Sequence, residues 1–163
     1  MRLKIAGITN DSIVDGPGLR LTVFAQGCPH ACKGCHNPNT HDPEGGYFID
    51  IGEIIDRARK NPLLSGITLS GGEPFMQVEA MGELAMTACE MGLDVIVYTG
   101  YTWEELMADD TFMPLISAVD YIVDGRFELD LRTLDMPFVG SSNQRVIDVQ
   151  ESLEVGEIVL CEF

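Results

Sequence analysis

With 163 residues, 45% hydrophobic and 22% charged, the chain reads as one globular domain spanning 1–163, which excludes a disordered or fibrous protein. Its 26 acidic against 10 basic side chains give a formal charge of −16, and a surface of that sign repels nucleic-acid phosphates and acidic lipid headgroups. No apolar run approaches the ~20 residues of a membrane helix, and residues 1–7 lack a secretion signal's apolar stretch. A cytoplasmic protein with no direct nucleic-acid or membrane contact is expected.

Residues 2–9 alternate as an edge or hairpin strand would, ahead of a turn at Asp15, Gly16, Pro17 and Gly18. Residues 21–25 read as a strand running straight into Gly27 and Cys28, and 37–46, rich in Asn, Pro, His and Gly, as an irregular connection. Asp50 then caps a helix with Glu53 in capping-box position, and Ile51, Ile54, Ile55 and Ala58 share one helical face. A short strand at 67–69 ends at Ser70, Gly71, Gly72, Glu73 and Pro74. Over 77–91, Met81, Leu84, Ala85, Ala88 and Cys89 fall on one face of a helix stopped by Gly92, which predicts Cys89 as a small core residue. Residues 93–98 and 120–123 read as buried strands, 145–149 as a last strand-like stretch, and Thr102 with Glu105 as a second capping box. Tyr101 and Trp103 are expected in the core, the usual place of such aromatics.

Strands alternating with helices over short connections predict an α/β fold, a mainly parallel sheet with helices packed outside. Ligands gather beyond the carboxyl ends of parallel strands. The cysteine loop and the Gly-Gly-Glu loop both follow strands and are placed to share one site.

Three of the five cysteines fall in the spacing Cys28-x3-Cys32-x2-Cys35. In a reducing compartment such a cluster points to metal chemistry in preference to disulfides. Three thiolates on a tight loop can bind three irons of a [4Fe–4S] cube and leave the fourth open. A zinc site needs four ligands; Cys89 and Cys161 lie far away in sequence, but His30 or His36 could complete a tetrahedron. A ferredoxin-like carrier would want a fourth cysteine. Gly71 and Gly72 let backbone approach a ligand, and the Glu73 carboxylate suits an ammonium group, although such a loop alone is more often a plain strand-to-helix turn.

The cysteine loop, set after an early strand, resembles that of the radical S-adenosylmethionine superfamily, and Gly71-Gly72-Glu73 resembles its second signature. The resemblance implies a partial, incomplete parallel β/α barrel and a [4Fe–4S] cluster on Cys28, Cys32 and Cys35. S-adenosyl-L-methionine would chelate the open iron through its amino and carboxylate groups, bound by Gly34, Cys35 and His36 and by Gly71, Gly72 and Glu73. Members often carry an aromatic residue where this chain has Gly34, so the implied adenine contact passes to backbone or to His36.

Cys35-His36-Asn37-Pro38 and Asp15-Gly16-Pro17-Gly18-Leu19-Arg20 resemble the glycyl-radical-enzyme activases. The stretches at 98–106 and 123–127, with GSSNQR at 140–145, are similar to the activases of anaerobic, class III ribonucleoside-triphosphate reductases. What this implies is an external one-electron donor such as flavodoxin or ferredoxin, reductive cleavage of S-adenosylmethionine to methionine and a 5′-deoxyadenosyl radical, and abstraction of hydrogen from a reductase glycine. No catalytic residue beyond the cluster ligands is required. Such a short chain should leave the cofactor mouth open to a macromolecular substrate. An activase of another glycyl radical enzyme, or a radical enzyme acting on a small molecule, shares the cluster and differs in substrate, whereas an electron-transfer or zinc module would not cleave the cofactor. No role is expected for Cys161, and GSSNQR reads either as a polar turn or as a cofactor or partner contact.

Overall fold

The computed structural model describes residues 1–161. β1 (Arg2–Ser12) and β2 (Arg20–Ala25) form an antiparallel hairpin with Ile8 opposite Val23 and Thr9 opposite Thr22. β3 (Tyr47–Asp50) lies antiparallel on the outer side of β1. On the other side of β2, β4 (Gly66–Gly71), β5 (Asp94–Tyr98) and β6 (Tyr121–Asp124) follow in parallel, and β7 (Arg145–Asp148) closes the row antiparallel to β6. The order β3-β1-β2-β4-β5-β6-β7 does not close on itself, so the sheet is open, an incomplete α/β barrel with a parallel centre; residues 159–161 run along the outer side of β7, where Asp148 N donates to the Val159 carbonyl and Cys161 N to that of Val146.

Period-two alternation gives this sheet two unlike faces. Leu21, Val23, Ile67, Leu69, Val95, Val97 and Ile122 face the helices. They share one core with Ile54 of α1 (Ile51–Arg59), Leu84 of α2 (Val78–Glu90), Leu106 of α3 (Trp103–Met107), Leu115 of α4 (Met113–Ile116) and Val149 of α5 (Val149–Val155). The intervening positions, among them Arg20, Thr22, Phe24, Thr68, Ser70 and Tyr98, point to the opposite, concave face.

One end of that face is floored by the Asp15-Gly16-Pro17-Gly18 turn, which folds across it. Thr22 Oγ1 and Ser12 Oγ donate to Asp15 Oδ2, at 3.0 and 2.5 Å, and Thr68 Oγ1 donates to the Asp15 carbonyl at 2.8 Å. The wholly buried Arg20 guanidinium ties Thr68, the carbonyls of Pro17 and Ile67, and Asp94 together. Gly16, at φ +139°, has no space for a side chain, since a Cβ there would sit 2.6 Å from Ile96 and 2.9 Å from Arg20. Burial beside this floor, with the Asp15 charge adding, pushes the Tyr98 hydroxyl well above the ordinary tyrosine range.

Several local expectations need correction. β3 was not foreseen: it is four residues long with only Ile49 buried, and its pairing with β1 is a long-range event that no local pattern announces. Asp50 does cap α1 through Gly52 N, but Glu53 faces Arg57 at 3.9 Å instead of completing a capping box. The box at Thr102 and Glu105 is complete. Cys89 is exposed, not a core residue. Its angular position on α2 is near that of Gly82, but the single turn of α4 packs on the helix at Gly82, against Pro114, and Cys89 two turns on is left exposed while Ala88 beside it stays buried. Val149 is the first residue of α5 and not the end of a strand, because Asp148 caps that helix through Glu151 N. Trp103 is buried as expected, whereas Tyr101 is only partly buried and packs against the edge of the core.

Candidate functional site

The C-terminal end of β2 delivers the chain into Gly27 and Cys28, and the backbone there is fixed on both sides. Gly27 N and Cys28 N donate to the carbonyls of Thr40 and His41, while Gly72 N and Glu73 N donate to the carbonyls of Ala25 and Gly27, both at 2.8 Å. The parallel pairing of β2 with β4, in register through Ala25 and Gly71, thus continues into the two loops. The Gly-Gly pair is required by this approach. A Cβ on Gly72 would run into the Gly27 carbonyl oxygen and lie 2.9 Å from that of Thr40, and Gly71 sits at φ +90° with its Cβ position 2.5 Å from Ala25 N.

Cys28, Cys32 and Cys35 are all half-buried, all free thiols, and all line one cavity of about 740 Å³ on the concave face. Gly71, Gly72, Gly100, His36, Phe127 and Gln144 share that lining, and exposed Val14 and Leu134 stand at its mouth. Burial pushes the Cys28 and Cys32 thiols up from their ordinary range, and the neighbouring thiol of Cys35 raises both further. Asn37 N donates to Cys35 Sγ at 3.4 Å, and backbone hydrogen bonding at His30 and Phe127 works against the rise at Cys28 and Cys32. His41 Nε2 lies 3.4 Å from Cys35 Sγ as well.

Amide hydrogen bonds to sulfur are what tune and orient the thiolate ligands of iron–sulfur clusters. The donor set therefore fits a cluster held on this loop. Among the described residues no three His, Cys, Asp or Glu side chains are gathered for a single metal ion; a cube takes each thiolate on a separate iron and does not need such a gathering.

The structure brings Cys28, Cys32, Cys35, His36, Gly71 and Gly72 to this one cavity, whereas Gly34 and Glu73 do not line it. Gly71 and Gly72 line the cavity, but Glu73 is wholly buried behind them. Its Oε1 accepts from His30 Nε2 at 2.6 Å, Gly100 N at 2.8 Å and Thr99 Oγ1 at 2.8 Å, and its Oε2 accepts from Phe75 N at 3.0 Å. Gly34, where superfamily members often carry an aromatic residue, sits at φ +73°, a conformation that disfavours any side chain, and its Cβ position is 3.0 Å from Leu129 and 3.5 Å from Phe127. Phe127, which arrives from the β6–β7 connection, instead stacks obliquely on His36 with ring centroids 4.9 Å apart.

Sequence reasoning passed over Thr99, Gly100 and Phe127 as site residues and offered His30 only as a zinc ligand. The signal available for Gly100 was a glycine directly after a strand end; the others carry none. GSSNQR proves to be a clip for this wall. Gln144 Oε1 accepts from Gly140 N and Ser141 N, Gln144 Nε2 donates to the Gly125 carbonyl, and Asn143 Nδ2 donates to that of Arg126. Arg145 spans Asp124 and Glu104, and the Arg126 fork on Glu105 holds that carboxyl down at about 2. These contacts fix Gly125 and Phe127 against the cysteine loop.

A family model described as a 4Fe-4S single cluster domain matches residues 14–147. The chain is 33% identical over 149 residues to the anaerobic ribonucleoside-triphosphate reductase-activating protein of Escherichia coli K12, covering 82% of this chain and 91% of that one. It is 34% identical over 141 residues to the protein of the same name from Vibrio cholerae, covering 81% and 89%, and 31% over 139 residues to that of Enterobacteria phage T4, covering 82% and 86%. Among solved structures it is similar to the crystal structure of QueE from Escherichia coli, with a TM-score of 0.49 and 15% identity over 63% of this chain and 54% of that one.

Proposed function

The chain belongs to the family of anaerobic ribonucleoside-triphosphate reductase-activating proteins, and from that premise we infer that it activates such a reductase by cleaving S-adenosylmethionine at a [4Fe–4S] cluster on Cys28, Cys32 and Cys35. The observation that carries the reading is a single one: three thiols open into the same cavity as the Gly71-Gly72 backbone. When bound, the cluster and cofactor supply an electron and a 5′-deoxyadenosyl radical that removes hydrogen from a reductase glycine.

The protein's part is to bind, orient and admit. The loop at Gly71, Gly72 and Glu73 receives the amino end of the cofactor through its main chain, because the Glu73 carboxylate is already taken up within the protein. His36 and Phe127 offer ring surface for adenine beside Gly34 and Cys35, in place of the aromatic residue that superfamily members often carry where this chain has Gly34. The concave face, which no helix covers among the described residues, leaves a mouth through which a glycine-bearing segment of the reductase enters. An external one-electron donor such as flavodoxin or ferredoxin completes the reaction, and a reducible cluster calls for a reducing, cytoplasmic setting.

The direct test is anaerobic. The protein, reconstituted with iron and sulfide and reduced with dithionite, is given S-adenosylmethionine with and without the anaerobic reductase, and 5′-deoxyadenosine and the EPR spectrum are followed. A glycyl-radical doublet appearing only with reductase is the expected result. Deoxyadenosine without the doublet would move the substrate elsewhere, and no cleavage at all would return the loop to electron transfer or zinc.

Gly72→Ala isolates the second loop. Overpacking against the Gly27 carbonyl should weaken S-adenosylmethionine binding by about 10-fold while iron content is kept. Equilibrium dialysis against the reconstituted protein reads this, and an unchanged affinity would remove the loop from the cofactor site.

A further inference from the structure

The imidazole of His30 stands in an unusual place for a residue midway between two cluster cysteines. It turns away from solvent, its side chain 5% exposed, into a socket built by the ends of two neighbouring strands. Its Nε2 donates to Glu73 Oε1 at 2.6 Å, and its ring packs edge-on against Tyr101 with centroids 4.6 Å apart. The fit to β5's end is tight enough that a Cβ on Gly100 would lie 2.7 Å from His30 Nε2. The same Glu73 oxygen accepts from Thr99 Oγ1 and Gly100 N, and the other from Phe75 N. One carboxylate therefore gathers the cysteine loop, the β4 end and the β5 end.

The backbone is shaped around this contact. Ala31, directly after His30, sits at φ +51°, a left-handed conformation that non-glycine residues adopt only where their surroundings hold them. That reversal is what returns the chain from the buried His30 side chain to Cys32 at the cavity.

Accepting that the loop carries the cluster, we propose that His30 is a positioning residue: a buried peg whose contact with Glu73 sets the cysteine loop against the Gly-Gly loop, and so fixes the cluster relative to bound S-adenosylmethionine. Its role is mechanical, and no chemical step passes through it. Sequence alone offers His30 as a zinc ligand, whereas here its Nε2 is committed to Glu73, 43 residues away.

The test compares wild type, His30→Ala and His30→Gln, the last keeping an N–H donor within reach of Glu73. In metal-free protein, alkylation of Cys28, Cys32 and Cys35 followed by mass spectrometry should be faster in His30→Ala by about 10-fold, the factor that loss of one charge-assisted hydrogen bond allows, and should return toward wild type in His30→Gln. In reconstituted, reduced protein, the change in the cluster EPR signal on adding S-adenosylmethionine should be lost in His30→Ala at equal iron content and recovered in His30→Gln. Wild-type alkylation rates in His30→Ala, or an unaltered EPR response to S-adenosylmethionine, would overturn the assignment. Should His30→Ala take up no iron, the alkylation rates and the Gln variant decide it in the same way. A wild-type protein that forms no [4Fe–4S] cluster would overturn the underlying reading instead, and the alkylation comparison would still judge the peg.

Discussion

Cys32→Ala is expected to reduce iron from about four atoms per chain to a trace after anaerobic reconstitution, and with it both deoxyadenosine formation and the glycyl radical. The size of the effect follows from how few ligands there are. A cube bound by three protein thiolates has no spare ligand, and Cys89 sits exposed on the last turn of α2, on the helix-covered side of the sheet, while Cys161 lies beyond β7. Neither can swing to the cavity without unfolding an element. Iron and sulfide determination with the absorbance spectrum checks this directly. A Cys32→Ala protein with full iron and wild-type radical yield would mean that the loop is not the ligand set. The same loss is expected at Cys28 and Cys35, whereas Cys89→Ala should leave iron content unchanged.

Arg20→Met should be the most destabilising single change away from the cysteine loop. The guanidinium is 0% exposed and satisfies Thr68 Oγ1 at 2.7 Å, the Ile67 carbonyl at 3.0 Å, the Pro17 carbonyl at 3.1 Å and Asp94 Oδ1 at 2.5 Å. Methionine fills part of the volume and satisfies none of these groups. Removing one partner of a buried ion pair and leaving acceptors unpaired costs about 3–5 kcal/mol. Asp94 is 38% exposed and can recover water, which favours the lower figure. At about 3 kcal/mol the melting temperature of the metal-free protein should fall by roughly 6–12 °C. A fall of under about 2 °C would show that the floor of the cavity does not depend on Arg20.

The two predictions rest on different kinds of information. Cys28, Cys32, Cys35, Gly71 and Gly72 are legible in the sequence because they stand at short, fixed spacings directly after runs of strand-like residues. The same holds for the Thr102–Glu105 box and for the core face of α1, where neighbours three and four residues apart decide the outcome. Arg20 was visible only as the last residue of a resemblance, and its burial under a turn contributed by Pro17 on one side and Asp94 on the other could not be read.

What the sequence by itself determined is therefore local: the alternation of strand and helix, the cysteine and glycine spacings, the caps, and with them an α/β fold carrying the cysteine and Gly-Gly loops at strand ends. The tertiary structure alone decided that β3 forms an edge, that Cys89 escapes the core, that Phe127 occupies the space beside Gly34, and that the Glu73 carboxylate turns inward to His30 instead of outward to the cavity. Each of these depends on groups brought together from distant parts of the chain, and the free energy that selects them arises from packing and hydrogen bonding that exist only once the parallel strands are in register.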